Sequence, residues 1–334
     1  MTGEDVAQGK VTVSGPVGLI GENLRMRRRQ FLGVGVALAG VWMARCSFVT
    51  QSTVSEPDPP VAEIEKLMAE GRGALRHTWT NVNGLRMHSL VPVNRELTAA
   101  PPLVLVHGSG LSGRYMIPTA VHLTADFRVY VPDLPGFGDS DKPDKVFDVP
   151  ELADWVAGWI ATIGVERASL LGNSFGCQVI ADLAARYPER IERAILQGPT
   201  TPPDERSWFW QFIRWRQNQR YNPKSLGDVT NGDYRKCGFR RMFRSFQSQI
   251  TDRIEAKAPH IKAPTLVIRG EHDPIADQEW CEEIARLCPR GELGIIPGVA
   301  HTLCYTAPAE LARMTKTFVK ETNTTTHSAI VETR

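Results

Sequence analysis

The order of apolar runs and amphipathic stretches predicts an α/β chain, with a mostly parallel sheet and helices on both of its faces. Three observations carry this. From about residue 75 onward, short runs rich in Val, Leu and Ile alternate with helix-periodic segments. Several runs, such as Leu103-Val104-Leu105-Val106, are apolar without a break, as a strand covered on both faces must be. Most of the runs open into a loop of Gly, Pro, Asp or His, where a chain leaving a strand turns toward its next helix.

The 334 residues suffice for one large domain or two ordinary ones, and a hydrophobic content of 42% supplies a sizeable core. A formal net charge of +2 gives no global reason to expect nucleic acid as a partner. The charge is uneven, however. Residues 201–262 hold 13 Lys/Arg against 6 Asp/Glu, so the remainder is net acidic. Of the 6 cysteines, Cys46 lies in an N-terminal leader and the others form no Cys-x-x-Cys and no His/Cys cluster. No metal site, no cofactor site and no disulfide framework is expected. Cys281 and Cys288 fall two turns apart on one predicted helix, out of bridging range, and read as free thiols.

Residues 1–60 read as leader and linker. Arg27-Arg28-Arg29-Gln30-Phe31-Leu32 lead into an apolar run over residues 31–44, too short to span a bilayer and suited to a signal segment. A twin arginine followed by x-Phe-Leu resembles a bacterial twin-arginine export signal. The expectation is an exported protein, periplasmic or tethered to the envelope through this leader, and a cytoplasmic one if the leader is not used. Met26, directly before the arginines, is an alternative start.

Residues 61–321, less an insertion at 200–260, read as the folded core. A short amphipathic helix over 61–70 precedes two strands, 78–82 and 85–91, joined at the turn pair Asn83-Gly84. Strand 103–106 leads to a helix over about 115–124. Strand 127–131 ends in Asp133-Leu134-Pro135-Gly136-Phe137-Gly138-Asp139-Ser140. Pro150 opens a helix whose stripe is Leu152, Trp155, Val156, Trp159, Ile160 and Ile163, stopped by Gly164; its tryptophans read as core. An apolar run from Ala168 passes through Gly172-Asn173-Ser174-Phe175-Gly176 into a helix with Val179, Ile180, Leu183, Ala184 and Tyr187 on one face. After a strand over 191–197 the alternation breaks into helical pieces rich in Trp, Phe and Arg. It resumes with strand 264–269, a helix over 277–287, strand 293–296 and a closing helix from Pro308, with Leu311, Met314 and Phe318 inward. The tail, 322–334, is polar and reads as disordered.

A Gly-x-Ser-x-Gly pentapeptide between a strand and a helix carries a mechanism: the glycines permit a tight turn that holds the serine hydroxyl clear of the sheet. A serine hydroxyl attacks only when a base takes its proton, and a histidine fixed by a buried carboxylate suits that work. The chain supplies Ser174, Asp273 and His301 in that order, each just past the end of a predicted parallel strand, the edge where ligands bind in open α/β sheets. Alternatives stay open at two members. Asp273-Pro274 is also a pattern that begins a helix, and His272 and His107 compete with His301. An oxyanion needs backbone donors. The N–H of Phe175 is the first, and the N–H of Ser109 is assigned as the second because Gly108 and Gly110 let that loop turn its amides inward.

His107-Gly108-Ser109-Gly110, the loop from Asp133 to Ser140, Gly172-Asn173-Ser174-Phe175-Gly176, the turn from Gly270 to Pro274 and Gly298-Val299-Ala300-His301 together resemble the α/β-hydrolase superfamily over about residues 75–320. The resemblance implies eight strands with the second antiparallel, and a helical cap after the sixth, matched by residues 200–260. It implies a serine hydrolase acting on a small-molecule ester or other acyl substrate. A serine nucleophile argues against the haloalkane dehalogenases and epoxide hydrolases of the superfamily, which use Asp. Asn173 with the His107–Gly110 loop is similar to the meta-cleavage-product hydrolases, so carbon–carbon hydrolysis is the alternative, and a non-catalytic ligand sensor a more distant one. In the cap, helical spacing places Trp208, Phe212 and Trp215 on one face, expected to line an apolar pocket together with Gly108 and Gly110.

Overall fold

The computed structural model describes residues 61–93 and 99–320; the leader, Cys46 and the polar tail lie outside them. In chain order the elements are α1 (Val61–Ala74), β1 (Leu75–Val82), β2 (Leu85–Pro92), β3 (Pro102–Val106), α2 (Ile117–Leu123), β4 (Arg128–Pro132), α3 (Val149–Thr162), β5 (Ala168–Asn173), α4 (Phe175–Arg186) and β6 (Ile191–Gln197). A helical insertion follows, α5 (Trp208–Asn218), α6 (Lys224–Cys237), α7 (Phe239–Thr251) and α8 (Ile254–Lys257). The sheet resumes with β7 (Thr265–Gly270), α9 (Gln278–Leu287) and β8 (Gly291–Ile296), and the chain closes with α10 (Leu303–Thr306) and α11 (Pro308–Lys320).

The eight strands lie in the order β1-β2-β4-β3-β5-β6-β7-β8. Only β1–β2 and β2–β4 pair antiparallel, so β2 runs against both neighbours and the other five pairings are parallel. Strand order reverses beside β3, which has β4 on one side and β5 on the other. A crevice opens at such a reversal, outside the carboxyl ends of the strands.

Alternation along the central strands explains why both faces carry helices. Leu103, Leu105, Val129, Val131, Leu171, Ile195 and Ile268 share one core cluster with Leu123, Leu311 and Phe318 of α2 and α11. Their in-between neighbours Val104, Leu170, Leu196 and Val267 are equally buried and point the other way. On α3, Leu152, Val156, Trp159 and Ile160 are buried as the stripe predicts, while Trp155 is only half-buried against Phe147. Asp148 starts this helix, its carboxylate accepting Glu151 N–H at 3.0 Å while the Glu151 side chain accepts Asp148 N–H at 3.1 Å. The helix expected over 115–124 is instead a 3-10 turn, Gly113–Met116, followed by α2. Pro118 explains the break, since a residue without an N–H fits only the first turn of a helix. Among the described residues no helix is long and apolar enough to cross a membrane.

Candidate active site

The serine loop is built by steric exclusion. Ser174 has φ 57° and ψ −119°, outside the regions L-residues favour, and stands as the residue before α4. A Cβ at Gly172 would meet the Gly176 carbonyl carbon at 2.7 Å, and a Cβ at Gly176 would meet Val106 O at 2.3 Å. The two glycines therefore let strand end, turn and helix start close on one another, with the strained serine at the apex. The turn is anchored by Ser174 N–H donating to Gln197 O at 2.9 Å. Its side chain is half-buried, and the N-terminal end of α4 beneath it favours a developing anion.

Asp273 lies past β7 and His301 past β8. His301 Nδ1 is 2.8 Å from Asp273 Oδ2, and both residues are buried. A carboxylate accepts, so Nδ1 carries the proton and Nε2 keeps its lone pair. Asp273 Oδ1 is held by the N–H groups of Ile275 at 2.8 Å and Ala276 at 3.0 Å, which fix the carboxylate's plane. The buried Nε2 of His301 has no hydrogen-bond partner among the described residues. No hydrogen bond joins it to the Ser174 hydroxyl. Room for the ring comes from Gly198, where a Cβ would stand 2.8 Å from His301 Cε1. Asp277, not Asp273, caps α9, and His272 stacks on Tyr221 at 5.8 Å.

The N–H groups of Ser109 and Phe175 make no hydrogen bond among the described residues. Gly108 and Gly110 sit in this loop, Gly110 at φ 75° and Gly108 with Ser174 Cβ 3.5 Å from where its own Cβ would be. His107 anchors the loop from behind. Its Nε2 accepts Leu134 N–H at 3.0 Å, so the ring proton sits on Nδ1 and is donated to Gly108 O at 2.8 Å. Burial pushes the His107 imidazole below its ordinary value, against the opposing pull of Asp133 and the Gly108 carbonyl.

Behind the serine runs a buried polar relay that sequence reasoning missed. Tyr115 Oη accepts Gly108 N–H at 2.8 Å and donates to Asn173 Oδ1 at 2.5 Å. Asn173 Nδ2 donates to Gln197 Oε1 at 2.5 Å, and Gln197 Nε2 donates to His301 O at 2.7 Å. The loop of the assigned oxyanion donor and the loop of the base are thereby tied through the two residues flanking Ser174's strand end. Burial holds the Tyr115 phenol protonated, well above its ordinary range.

The helical insertion reaches the same edge at three points. Asn218 of α5 accepts His301 N–H at 3.1 Å, Asp233 of α6 accepts the Ser112 N–H at 3.0 Å and its hydroxyl at 2.7 Å, and Ser245 of α7 shares a 2.8 Å bond with Ser109 Oγ. The buried positions of α5 are the polar Gln211 and Asn218, which departs from the aromatic face expected to line a pocket. Trp208 is instead drawn onto α7, stacked on Phe243 at 4.7 Å and against Phe246 at 4.5 Å. Phe212 and Trp215 stack on each other at 6.0 Å and stay half-buried. The reason is chemical: three polar loops at the strand ends need partners, and Asn218 supplies one.

A second buried pair has the same composition as the first. His88 of β2 lies 2.7 Å from Asp133 Oδ2, and His88 Nε2 lies 2.8 Å from His77 Nδ1. Asp133 also accepts Gly113 N–H at 2.7 Å and Asp139 N–H at 2.8 Å. Burial pushes this carboxyl up, but the His88 hydrogen bond, the neighbouring imidazoles and the Asp139 N–H together outweigh it and hold the group below the usual carboxylate value. His88, Asp133 and Asp139 bring three donor atoms within 4.8 Å, but the first two already bond each other and Asp139 pairs with Lys236 at 2.6 Å. Their atoms are engaged as a tie between β2 and the loop after β4. The five cysteines described are free and buried, and burial raises the thiols of Cys177, Cys237, Cys281, Cys288 and Cys304.

Comparison with known proteins agrees with this architecture. The family profile described as the alpha/beta hydrolase fold matches residues 101–251. A haloalkane dehalogenase of Mycolicibacterium paratuberculosis is 32% identical over 42% of this chain, a match spanning 46% of that protein's length. The 2-hydroxymuconate semialdehyde hydrolase of Pseudomonas sp. strain CF600 is 26% identical over 66% of this chain and 87% of its own, and carboxylesterase YbfK of Bacillus subtilis 26% identical over 63% and 77%. Among solved structures, a membrane phospholipase A described as a bacterial virulence factor superposes with TM-score 0.65 at 26% identity, covering 88% of this chain and 98% of that one. With its eight-stranded sheet and the profile match over residues 101–251, the chain has the α/β-hydrolase fold and is similar to these hydrolases.

Proposed function

We propose that the chain is a serine hydrolase that cleaves a carboxylic ester through an acyl-enzyme. The observation that carries the reading is the buried His301–Asp273 pair, whose outer nitrogen has no partner among the described residues, at the sheet edge where the strained Ser174 stands. Ser174 Oγ attacks the acyl carbon as its proton passes to His301 Nε2. The oxyanion is held by the N–H groups of Ser109 and Phe175. The C–O bond to the alcohol breaks as Nε2 returns the proton to the leaving oxygen. Water then attacks the acyl-enzyme with His301 again taking a proton, and Ser174 recovers its own as the acid departs. Asp273 orients the ring and stabilises the imidazolium. The insertion at residues 200–260 acts as a cap over this crevice, and the twin arginine of the leader directs export.

The phospholipase and carboxylesterase likenesses support ester chemistry, and Ser174 at the turn speaks against dehalogenation despite the dehalogenase relative. A second reading, carbon–carbon hydrolysis of a vinylogous diketone on the same three residues, is favoured by Asn173 before the serine and by the muconate semialdehyde hydrolase relative. Assay of p-nitrophenyl esters of increasing acyl length against a ring-fission dienoate decides between them. Ester turnover at least a hundredfold above the dienoate's is expected, and the reverse ratio would replace the ester reading by the second one.

A further inference from the structure

We propose that the insertion carries a docking face for an anionic lipid bilayer, made by the exposed rings of α5 and α7 and the arginines beside them. Most large apolar side chains of the described residues are covered; of the exposed ones, Trp79, Val93 and Tyr221 lie elsewhere, while Phe209, Trp210 and Phe239 of α5 and α7 are about half exposed, at 55%, 44% and 51%. Ring contacts run along and between the two helices that carry them. Phe239 lies 6.3 Å from Phe243, Phe243 is stacked 4.7 Å from Trp208, and the next two residues, Phe209 and Trp210, meet edge-on at 5.4 Å.

The charge of the insertion is mostly positive, 13 Lys/Arg against 6 Asp/Glu over residues 201–262. Arg216 falls two turns after Phe209, and Arg240 and Arg244 flank Phe239 and Phe243 on the outer side of α7. All three are exposed, and none has an ion-pair partner among the described residues. Four of the six acids of residues 201–262 are engaged elsewhere: Glu205 with Arg214, Glu255 with Arg206 at 2.5 Å, Asp252 with Lys257, and Asp233 buried against Ser112; Asp204 and Asp228 are exposed. Aromatic rings flanked by unpaired arginines fit the headgroup region of a membrane, where rings sit at the polar–apolar boundary and cations meet anionic lipid. A protein partner would need acidic groups to match; a bilayer of anionic lipid supplies them over the whole face.

The inference concerns a surface and not the chemistry of Ser174, so its test has a separate readout. The full chain is mixed with vesicles of phosphatidylcholine alone or with 30 mol% phosphatidylglycerol, and partition is measured by flotation. Wild type is expected to bind the anionic vesicles at least about tenfold better and to lose that preference in high salt. Two variants carry the test: Phe209→Ser/Trp210→Ser/Phe239→Ser, and Arg240→Glu/Arg244→Glu, which leaves the rings in place if the first folds poorly. Each should lower partition at least about tenfold, while hydrolysis of a soluble short-chain ester stays at the wild-type rate. Brominated lipid should quench a tryptophan component that Trp210→Phe removes. Unchanged partition in both variants would assign binding to the leader and overturn the proposal. So would wild type ignoring anionic vesicles, or ring substitutions that change sedimentation as an oligomer without changing partition. Absence of ester hydrolysis in wild type would sink the catalytic reading and leave the vesicle result standing.

Discussion

Two buried His–Asp pairs of nearly equal length sit at the two halves of the sheet: His301–Asp273 at 2.8 Å beyond β7 and β8, and His88–Asp133 at 2.7 Å between β2 and the end of β4. Their chemistry is the same and their wiring differs. The outer nitrogen of His88 is occupied by His77, and the free oxygen of Asp133 by Gly113 N–H. The outer nitrogen of His301 has no partner among the described residues. A saturated pair can only hold two elements together; a pair with one nitrogen unsatisfied can exchange a proton. Pair geometry alone therefore does not mark a catalytic histidine; in the proposed reading, the open nitrogen of His301 at the same sheet edge as the Ser174 turn sets it apart from His88.

The predictions rank by how hard they strain this contrast. Ser174→Ala should cut kcat by a factor on the order of 10⁶ with the fold intact, measured by ester turnover at saturating substrate. A variant keeping a tenth of wild-type turnover would remove Ser174 from the mechanism. Asp273→Asn should cost about 10⁴ in kcat, because an amide can favour the wrong tautomer of His301. His88→Ala should do the opposite. It leaves Asp133 short of a buried partner, so thermal unfolding should fall by about 2–3 kcal/mol while kcat/KM at 20 °C changes less than about threefold. A large kinetic effect in a stable His88→Ala protein would make the second pair part of the machinery.

Smaller effects sharpen the picture. Asn218→Ala deprives the His301 N–H of its acceptor, which should lower kcat/KM about tenfold through misplacement of the ring. The pH dependence of stability follows from His107 and Asp133. The folded state holds His107 below its unfolded value, so it binds fewer protons than the unfolded chain as pH falls through about 6.5, and stability is lost there. Asp133, also held low, contributes stability above about pH 4 that is lost as pH falls toward its folded value. Melting temperature should decline from pH 7.5 to 5.5, and His107→Gln should flatten that decline.

What could be read in the sequence was whatever announces itself locally. Strand ends are punctuated by Gly and Pro, so the turns holding Ser174, Asp273 and His301 stood out, and the antiparallel β2 came with the resemblance those turns carried. The relay through Tyr115, Asn173 and Gln197 left no such mark. Its members are single polar residues at the ends of apolar runs, and they meet across separations of 58 and 24 positions. Asn218 was hidden for a related reason. On a helix of Trp, Phe and Arg the aromatics suggest the inward face, yet the His301 loop selects Asn218, and the Glu205 carbonyl just before the helix holds Gln211. The partnering of His88 by His77 depended on the β1–β2 register, which places Trp79 opposite His88 and His77 opposite Leu90. A diagonal contact of that kind needs coordinates.

The most direct test is the rate at which a fluorophosphonate modifies the chain, with the modified peptide mapped, in wild type, His301→Ala and His88→Ala. The account predicts labelling confined to Ser174, slowed at least about a thousandfold in His301→Ala and little changed in folded His88→Ala. Equal rates in wild type and His301→Ala, or a label on any other residue, would contradict it.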